Sequence, residues 1–453
     1  MRNEAARHVQ QLLTWAAAVR TDDIPRTVLR RAAGVLADDL AAMVGARDEP
    51  EVARFHERTI QRAGPKEATI WRGGSHRVDR LSAAVANAVA ADWLELDEGY
   101  RPTACHAGLY VLPALLAHAE ATGLRLGDML RALVLGYEVV TRVACTWRPR
   151  ALTMQAHGRY GAVGAAAGLG LALEFDSETL VSAIGAAATL IGPAPRNHLQ
   201  QGILVRNTWP ASGAWNGMMA VEWATCGIGG TAQSLHDVYG TVFDGECEPR
   251  QLDQALGEKW AVMDGYTKLY ACCQHLHAAV EAAIALHGRA PNPQDIAAIE
   301  VQCHPLAMAF TNAAPTTTLA AKFSMPHAVA AALARGDGGA AAFCAASLDD
   351  TAIAALRPLV RMRPWADPLA PPHDRPARVT LSLGDGKEIL SECLSALGSP
   401  DRPLAPQAWR DKMRELAGPV YPRAVDVFDT IVEADSRWLL KDWRAIVAEI
   451  TRP

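Results

Sequence analysis

Apolar residues recur at three-and-four spacing along most of the chain, the pattern of helices that each bury one face. Two such runs fill 6–46. The second follows Asp22-Asp23 and Pro25, a helix start, and carries Val28, Leu29, Ala32, Val35, Leu36 and Leu40 on one side. A helix and a polar connection are predicted over 47–77, with Gly73-Gly74 as a turn and Ala68-Thr69-Ile70-Trp71 as a short extended piece. Periodic runs over 80–96 and 109–121 flank a polar loop, and Leu126 to Val143 forms a strongly apolar helix with Tyr137, Glu138 and Arg142 on its later turns. From 161 to 230 small residues dominate. Gly161, Gly164, Gly168, Gly170 and the Ala runs predict long helices packed at close approach.

After 265 the period changes. Ile296 to Cys303 reads as a strand, and Ala377 to Leu383 alternates, meets Gly384-Asp385-Gly386 and resumes at Lys387 to Leu390, a hairpin pattern. From 406 to 450 the helical period returns. The sequence therefore predicts a mainly α protein in two units, a size-based expectation for 453 residues. One is a helical domain over 1–265, completed by C-terminal helices in 401–453. The other is a smaller α+β unit over 266–400, with an irregular Pro-rich connection at 363–376.

Charge removes whole classes of partner. With 44 basic and 49 acidic residues and a formal net charge of −5, nothing points to nucleic acid or an anionic membrane surface, which leaves a small molecule. Apolar stretches such as Ala162 to Leu173 are shorter than the roughly 20 residues a membrane span needs, so they read as buried helices. Nine scattered cysteines without a CxxC, behind an N-terminus with no apolar signal core, suit a reducing cytoplasm. The glycine runs do not follow a strand with dinucleotide-binding spacing, so no such cofactor is expected. Read as a helix, Cys272-Cys273-Gln274-His275-Leu276-His277 splays its ligands apart, so no metal is expected there. The Asp38-Asp39 pair lies mid-helix and reads as ion-paired or facing solvent.

Polar chemistry concentrates between Asp92 and Gly108, where Gly99 and Pro102 break the helical pattern. Asp97, Glu98 and His106 could be aimed into a cleft from such a loop. The alternative is a solvated helix end with His106 as a capping residue.

The succession Leu96-Asp97-Glu98-Gly99, His106-Ala107-Gly108, Gly136-Tyr137-Glu138, His157-Gly158-Arg159-Tyr160-Gly161, Val205-Arg206-Asn207 with Gly217, Lys268 to His277, and Lys322-Phe323-Ser324-Met325-Pro326-His327 resembles the MmgE/PrpD family, in order and spacing over nearly the whole chain. The resemblance implies a large helical domain, a smaller α+β lid domain, a homodimer, and no metal or organic cofactor. Its known members, 2-methylcitrate dehydratase, cis-aconitate decarboxylase and iminodisuccinate epimerase, act on small di- and tricarboxylates. It places Asp97 and His106 in the site, His106 as general acid or base, and makes Tyr100 and Arg101 substrate contacts. His157 falls at the histidine of the MmgE-like branch, whereas the position of the decarboxylase branch's histidine holds Gln155; the alternative for His157 is to cap the small-residue helix. His277 falls at a family histidine. Arg206 replaces a family lysine, and arginine can hold a substrate carboxylate with two parallel bonds. Lys268 is a second cation or, if desolvated, a base. Cys273 stands where decarboxylases carry a histidine, and His327, in place of a tyrosine, lines the pocket or packs in the core. The implied function is a cofactor-independent lyase of the dehydratase type on a small polycarboxylate. An epimerase, a decarboxylase and a non-catalytic carboxylate-binding protein are the alternatives. Truncating His106 or Arg206 to alanine is expected to end turnover and leave the melting temperature nearly unchanged.

Overall fold

Small side chains set the helix spacing. In the computed structural model, which describes residues 1–62, 64–289, 293–366 and 368–452, helices Ala107–Thr122, Leu126–Thr146, Ala156–Ala172 and Trp209–Thr225 pack on one another. Ala156–Ala172 is buried along its whole length. Where it crosses Trp209–Thr225, a methyl group on Gly213 would lie 2.7 Å from the Gly161 backbone, so only glycine permits this approach. Helices Arg2–Ala18, Arg26–Gly45, Pro50–Gln61, Arg80–Ala91 and Ser177–Thr189 surround this group. Among the described residues no helix is long and apolar enough to cross a membrane.

The helix expected over 80–96 stops at Ala91. Asp92 to Glu98 forms turns instead, with Glu95 at φ 54°. A continued helix would rotate Asp97 about 200° from Glu95. The turns bring one oxygen each of Asp92, Glu95 and Asp97 within 4.8 Å of one another.

The three expected strand segments join one that was not expected, Val360–Pro364, in a four-stranded sheet of order Glu388–Cys393, Ala377–Leu383, Ile296–Cys303, Val360–Pro364. The first two are the hairpin, the next pair is antiparallel, and the last is parallel. The connection expected at 363–376 begins inside the edge strand Val360–Pro364, and its residue 367 lies outside the described residues. Ala68–Thr69 pairs with Arg77–Val78 as a short hairpin around the Gly73-Gly74 turn. Helix Pro406–Leu416 returns to the first part of the chain, where Lys412 Nζ donates to Asp38 Oδ1 at 2.6 Å and to the Leu96 carbonyl at 2.9 Å. A two-residue antiparallel pair, Gly99–Tyr100 with Gly265–Tyr266, ties the acidic loop to the segment that carries Lys268.

Candidate active site

Five charged side chains with almost no solvent exposure form one connected array. Arg206 Nη1 donates to Asp92 Oδ2 and its Nη2 lies 2.5 Å from Glu95 Oε1. Lys268 Nζ donates to Glu95 Oε2 at 3.0 Å and to Asp97 Oδ1 at 2.9 Å. The acids come from the turn after Arg80–Ala91, Arg206 from the short 3-10 turn Leu204–Thr208, and Lys268 from the strand-like segment after Tyr266. Asp92, Glu95 and Asp97 have a spacing that a metal ion could use, and here the guanidinium and ammonium groups supply the positive charge.

Each charge state follows from its neighbours. Burial alone would raise the Asp97 pKa, but Lys268 and then His106 hold it far below the carboxylate range. Burial would lower Lys268, and Asp97 and Glu95 raise it well above its ordinary value. Lys268 is therefore a firm ammonium, because its neighbours are anions; the desolvated-base alternative needed a nearby cation instead. Arg206 is likewise raised by Asp92 and Glu95 against burial.

His106 joins this array to the solvent side. Its Nδ1 lies 2.6 Å from Asp97 Oδ2 and 2.9 Å from the Glu98 carbonyl. Both partners are acceptors, so Nδ1 carries the proton and Nε2 is left for chemistry. The side chain keeps 15% of its exposure while that of Asp97 keeps 0%. The His157 ring lies edge-on at 4.9 Å, its Nδ1 3.0 Å from the Tyr110 hydroxyl and its Nε2 3.2 Å from Asp92 Oδ2. Burial would lower the His106 pKa, but the charge and hydrogen bond of Asp97 raise it. Burial, then Arg206 and His106, push His157 well below the ordinary imidazole value. Two adjacent imidazoles are thus driven in opposite directions, one toward the acid form and one toward the free base.

Behind the loop, Asp39 Oδ1 accepts from Glu98 N at 2.8 Å, and Glu98 accepts from Gly108 N at 2.5 Å and the Tyr137 hydroxyl at 3.0 Å. Asp39 is fully buried, so it neither faces solvent nor carries the ion pair that Asp38 makes. Burial and the neighbouring acids raise Asp39 well above the carboxylate range, and burial raises Glu98 to about 7. A carboxyl group whose folded pKa is raised contributes stability that is full below its unfolded pKa and is lost as pH rises through about 7. Wild-type stability should therefore decline from about pH 5 to about pH 8, and Glu98→Gln should flatten that decline by on the order of 2 kcal/mol. Urea melts across that range check it; parallel curves for the two proteins would refute the raised pKa of Glu98.

The remaining expected residues separate into near and remote groups. His277 Nε2 bonds the Cys272 carbonyl at 3.1 Å, its ring lies edge-on to Tyr270 at 5.3 Å, and burial and Lys268 depress its pKa to about 3. Cys272 and Cys273 precede the 3-10 turn Gln274–Leu276, so the helix assumed for this cluster starts only at His277. Burial and Glu95 push the Cys273 thiol up to about 11, and its backbone N–H donates to the Lys322 carbonyl at 3.0 Å. Tyr100 turns its ring onto Tyr137, 6.1 Å away. Arg101 bonds Asp374 and Ser399. His327 does not touch the array: its Nε2 lies 3.1 Å from the Ala342 carbonyl and 3.3 Å from Ser347 Oγ, with its ring against Phe343.

Sequence reasoning missed Asp92, Glu95, Tyr110 and Lys322, whose Nζ donates to the Trp93 carbonyl at 2.6 Å. The signal was present in Asp92-Trp93-Leu94-Glu95-Leu96-Asp97. Acids at that density in an apolar segment require buried cations.

Comparisons with known proteins agree with the order of these segments. The MmgE/PrpD N-terminal domain model matches residues 10–252 and the MmgE/PrpD C-terminal domain model matches 270–436. The chain is 26% identical over 442 residues to the cis-aconitate decarboxylase-like protein oryM of Aspergillus oryzae (strain ATCC 42149 / RIB 40), covering 90% of each. It is 25% identical over 470 residues to a cis-aconitate decarboxylase of Aspergillus terreus (strain NIH 2624 / FGSC A1156), covering 94% of this chain and 92% of that protein. A further cis-aconitate decarboxylase of Aspergillus terreus is 28% identical over 302 residues, 62% of this chain and 60% of that protein.

Proposed function

Because the chain belongs to the MmgE/PrpD family, we propose that it is a cofactor-independent lyase, of the dehydratase type, acting on a small di- or tricarboxylic acid. The observation that carries this reading is the pair His106 and His157, in ring contact and with pKa values pushed apart. Neutral His157 removes the proton α to a carboxylate, and the electron pair moves into that carboxylate as an aci-form. The pair then closes the carbon–carbon double bond as the β C–O bond breaks, and protonated His106 gives its proton to the departing hydroxyl, releasing water. Asp97, kept ionised by Lys268, holds the His106 tautomer and stabilises its charged form. Tyr110 orients His157.

Arg206 and Lys268 act in this scheme through the acidic loop. Their donors face Asp92, Glu95 and Asp97, so a direct grip on substrate would require one of these carboxylates to leave. Decarboxylation is the second reading, favoured by the names of the relatives. In it the bond to the departing carboxylate breaks, its electron pair stays on carbon, and a protonated imidazole places a proton there after carbon dioxide has left, with no α-proton removed. The family reading also brings a cytoplasmic homodimer, which sedimentation would test.

Proton NMR in heavy water with citrate-like, aconitate-like and iminodisuccinate-like acids tests the proposal. Exchange of an α-proton, with gain or loss of water, is the expected result. Loss of carbon dioxide would select the second reading, and a folded protein inert toward every acid would refute both.

A further inference from the structure

The turn from Asp92 to Glu98 stands where helix Arg80–Ala91 would have continued, and leaving the helix deprives its carbonyls of their partners. In a continued helix the Trp93 carbonyl would accept from the Asp97 N–H and the Leu96 carbonyl from the Tyr100 N–H. Two lysines from remote parts of the chain supply donors instead. Lys412 Nζ donates to the Leu96 carbonyl at 2.9 Å and Lys322 Nζ to the Trp93 carbonyl at 2.6 Å. Buried carbonyls need such partners, and these two lie on either side of Glu95, the residue at positive φ.

The lysines around the turn differ in how their charge is met. Lys412 also pairs with Asp38, and Lys268 pairs with Glu95 and Asp97. Lys322 is 2% exposed and makes no ion pair among the described residues, because Arg206 takes up Asp92 and Glu95. Burial pulls its pKa below the ordinary lysine value. An amine buried without an anion costs stability, and one hydrogen bond to a carbonyl offsets only part of that cost. Stability therefore does not account for a lysine here.

Alignment does. Lys322 ends the short helix Thr318–Lys322, far along the chain from the turn. Its carbonyl accepts from the Cys273 N–H at 3.0 Å, between Lys268 and His277, and the ring of the next residue, Phe323, lies 5.1 Å from the Arg206 guanidinium. On the turn, Trp93 follows Asp92, whose Oδ2 accepts from Arg206 Nη1 and faces His157 Nε2 at 3.2 Å.

We propose that Lys322 is a positioning residue for the acid–base pair: by holding the Trp93 carbonyl it fixes Asp92 against His157. The effect on turnover rests on the lyase reading, and the inference goes beyond that reading by giving a role to a residue that bonds neither histidine.

Lys322→Met and Lys322→Arg test this role. Methionine keeps an unbranched stem and removes the buried unpaired amine, so that variant should fold; arginine keeps a donor. With the acid that wild type turns over, Lys322→Met should lower kcat by about 10- to 100-fold, the effect of a small misplacement at a reacting centre, with little change in KM. Lys322→Arg should restore most of the loss. Independently of turnover, the ring-nitrogen NMR signals of His157 in protein carrying isotope-labelled histidine, identified by their disappearance in His157→Gln, should move in Lys322→Met and return toward their wild-type positions in Lys322→Arg. Unmoved His157 signals, or a wild-type kcat in folded Lys322→Met, overturn the proposal. Moved signals in a protein whose wild type is inert toward every acid would refute the lyase reading and keep the positioning role. Wild-type turnover that Lys322→Met leaves intact would do the reverse.

Discussion

Arg206→Ala is expected to destabilise the protein by about 3–5 kcal/mol, the range for removing one partner of a buried ion pair. Arg206 keeps 1% of its side-chain exposure, and the carboxylates of Asp92 and Glu95 that it touches keep 0% and 2%. Without the guanidinium those acids lie buried beside Asp97 with Lys268 as their remaining cation, and they must either take up protons or open the loop. A drop of roughly 3–5 °C in the thermal midpoint is the corresponding readout for a chain of 453 residues. This replaces the expectation of a nearly unchanged melt, which treated Arg206 as a free arm for substrate. A variant that melts like wild type but has lost turnover would restore that earlier role. Arg206→Lys should recover part of the stability, since it keeps a charge but cannot meet both acids with one planar fork.

His106→Ala is expected to lower turnover by about 10²- to 10⁴-fold, the usual contribution of a positioned acid or base, with little change in the melt. The imidazole is partly exposed, and Asp97 retains Lys268 at 2.9 Å after its loss. The pH profile carries a second check. Asp97 raises the His106 pKa, so the protonated acid persists above the ordinary imidazole range and activity falls as pH rises through the raised value. The His106–Asp97 contribution to stability has the same sign: it is full below the unfolded imidazole pKa and is lost as pH rises through the folded one. Asp97→Asn should move the alkaline limb of the rate profile to lower pH. A limb that stays in place would mean that another group is the acid. A large loss of stability in His106→Ala would favour the capping role for this residue.

How much of the site could be read from the chain differs residue by residue. His106 and Asp97 stood out because a glycine and a proline break a helical period around them. Lys268 and Arg206 were found through their positions in the family pattern, but their partners were not. Arg206 bonds an acid 114 residues away and Lys268 one 171 residues away, and no local period records such pairings. Asp92 and Glu95 were hidden because apolar periodicity continued through them and made them the end of a helix. His327 and His277 were picked out by their places in the family pattern, yet their bonds to the Ala342 and Cys272 carbonyls depend on how the chain turns around them.

Periodicity reports which face of a segment is buried, a property each segment carries alone, and it was enough for the helical bundle, the hairpin and the mainly α class. The charge state of a buried group is set by what lies within a few ångströms of it. Burial turns small differences in those neighbours into large shifts, because there is little water to screen them. That is why one histidine of an adjacent pair is raised and the other lowered, why Lys268 is an ammonium, and why Arg206 serves the protein's own carboxylates: these were decided by packing between segments remote in the chain.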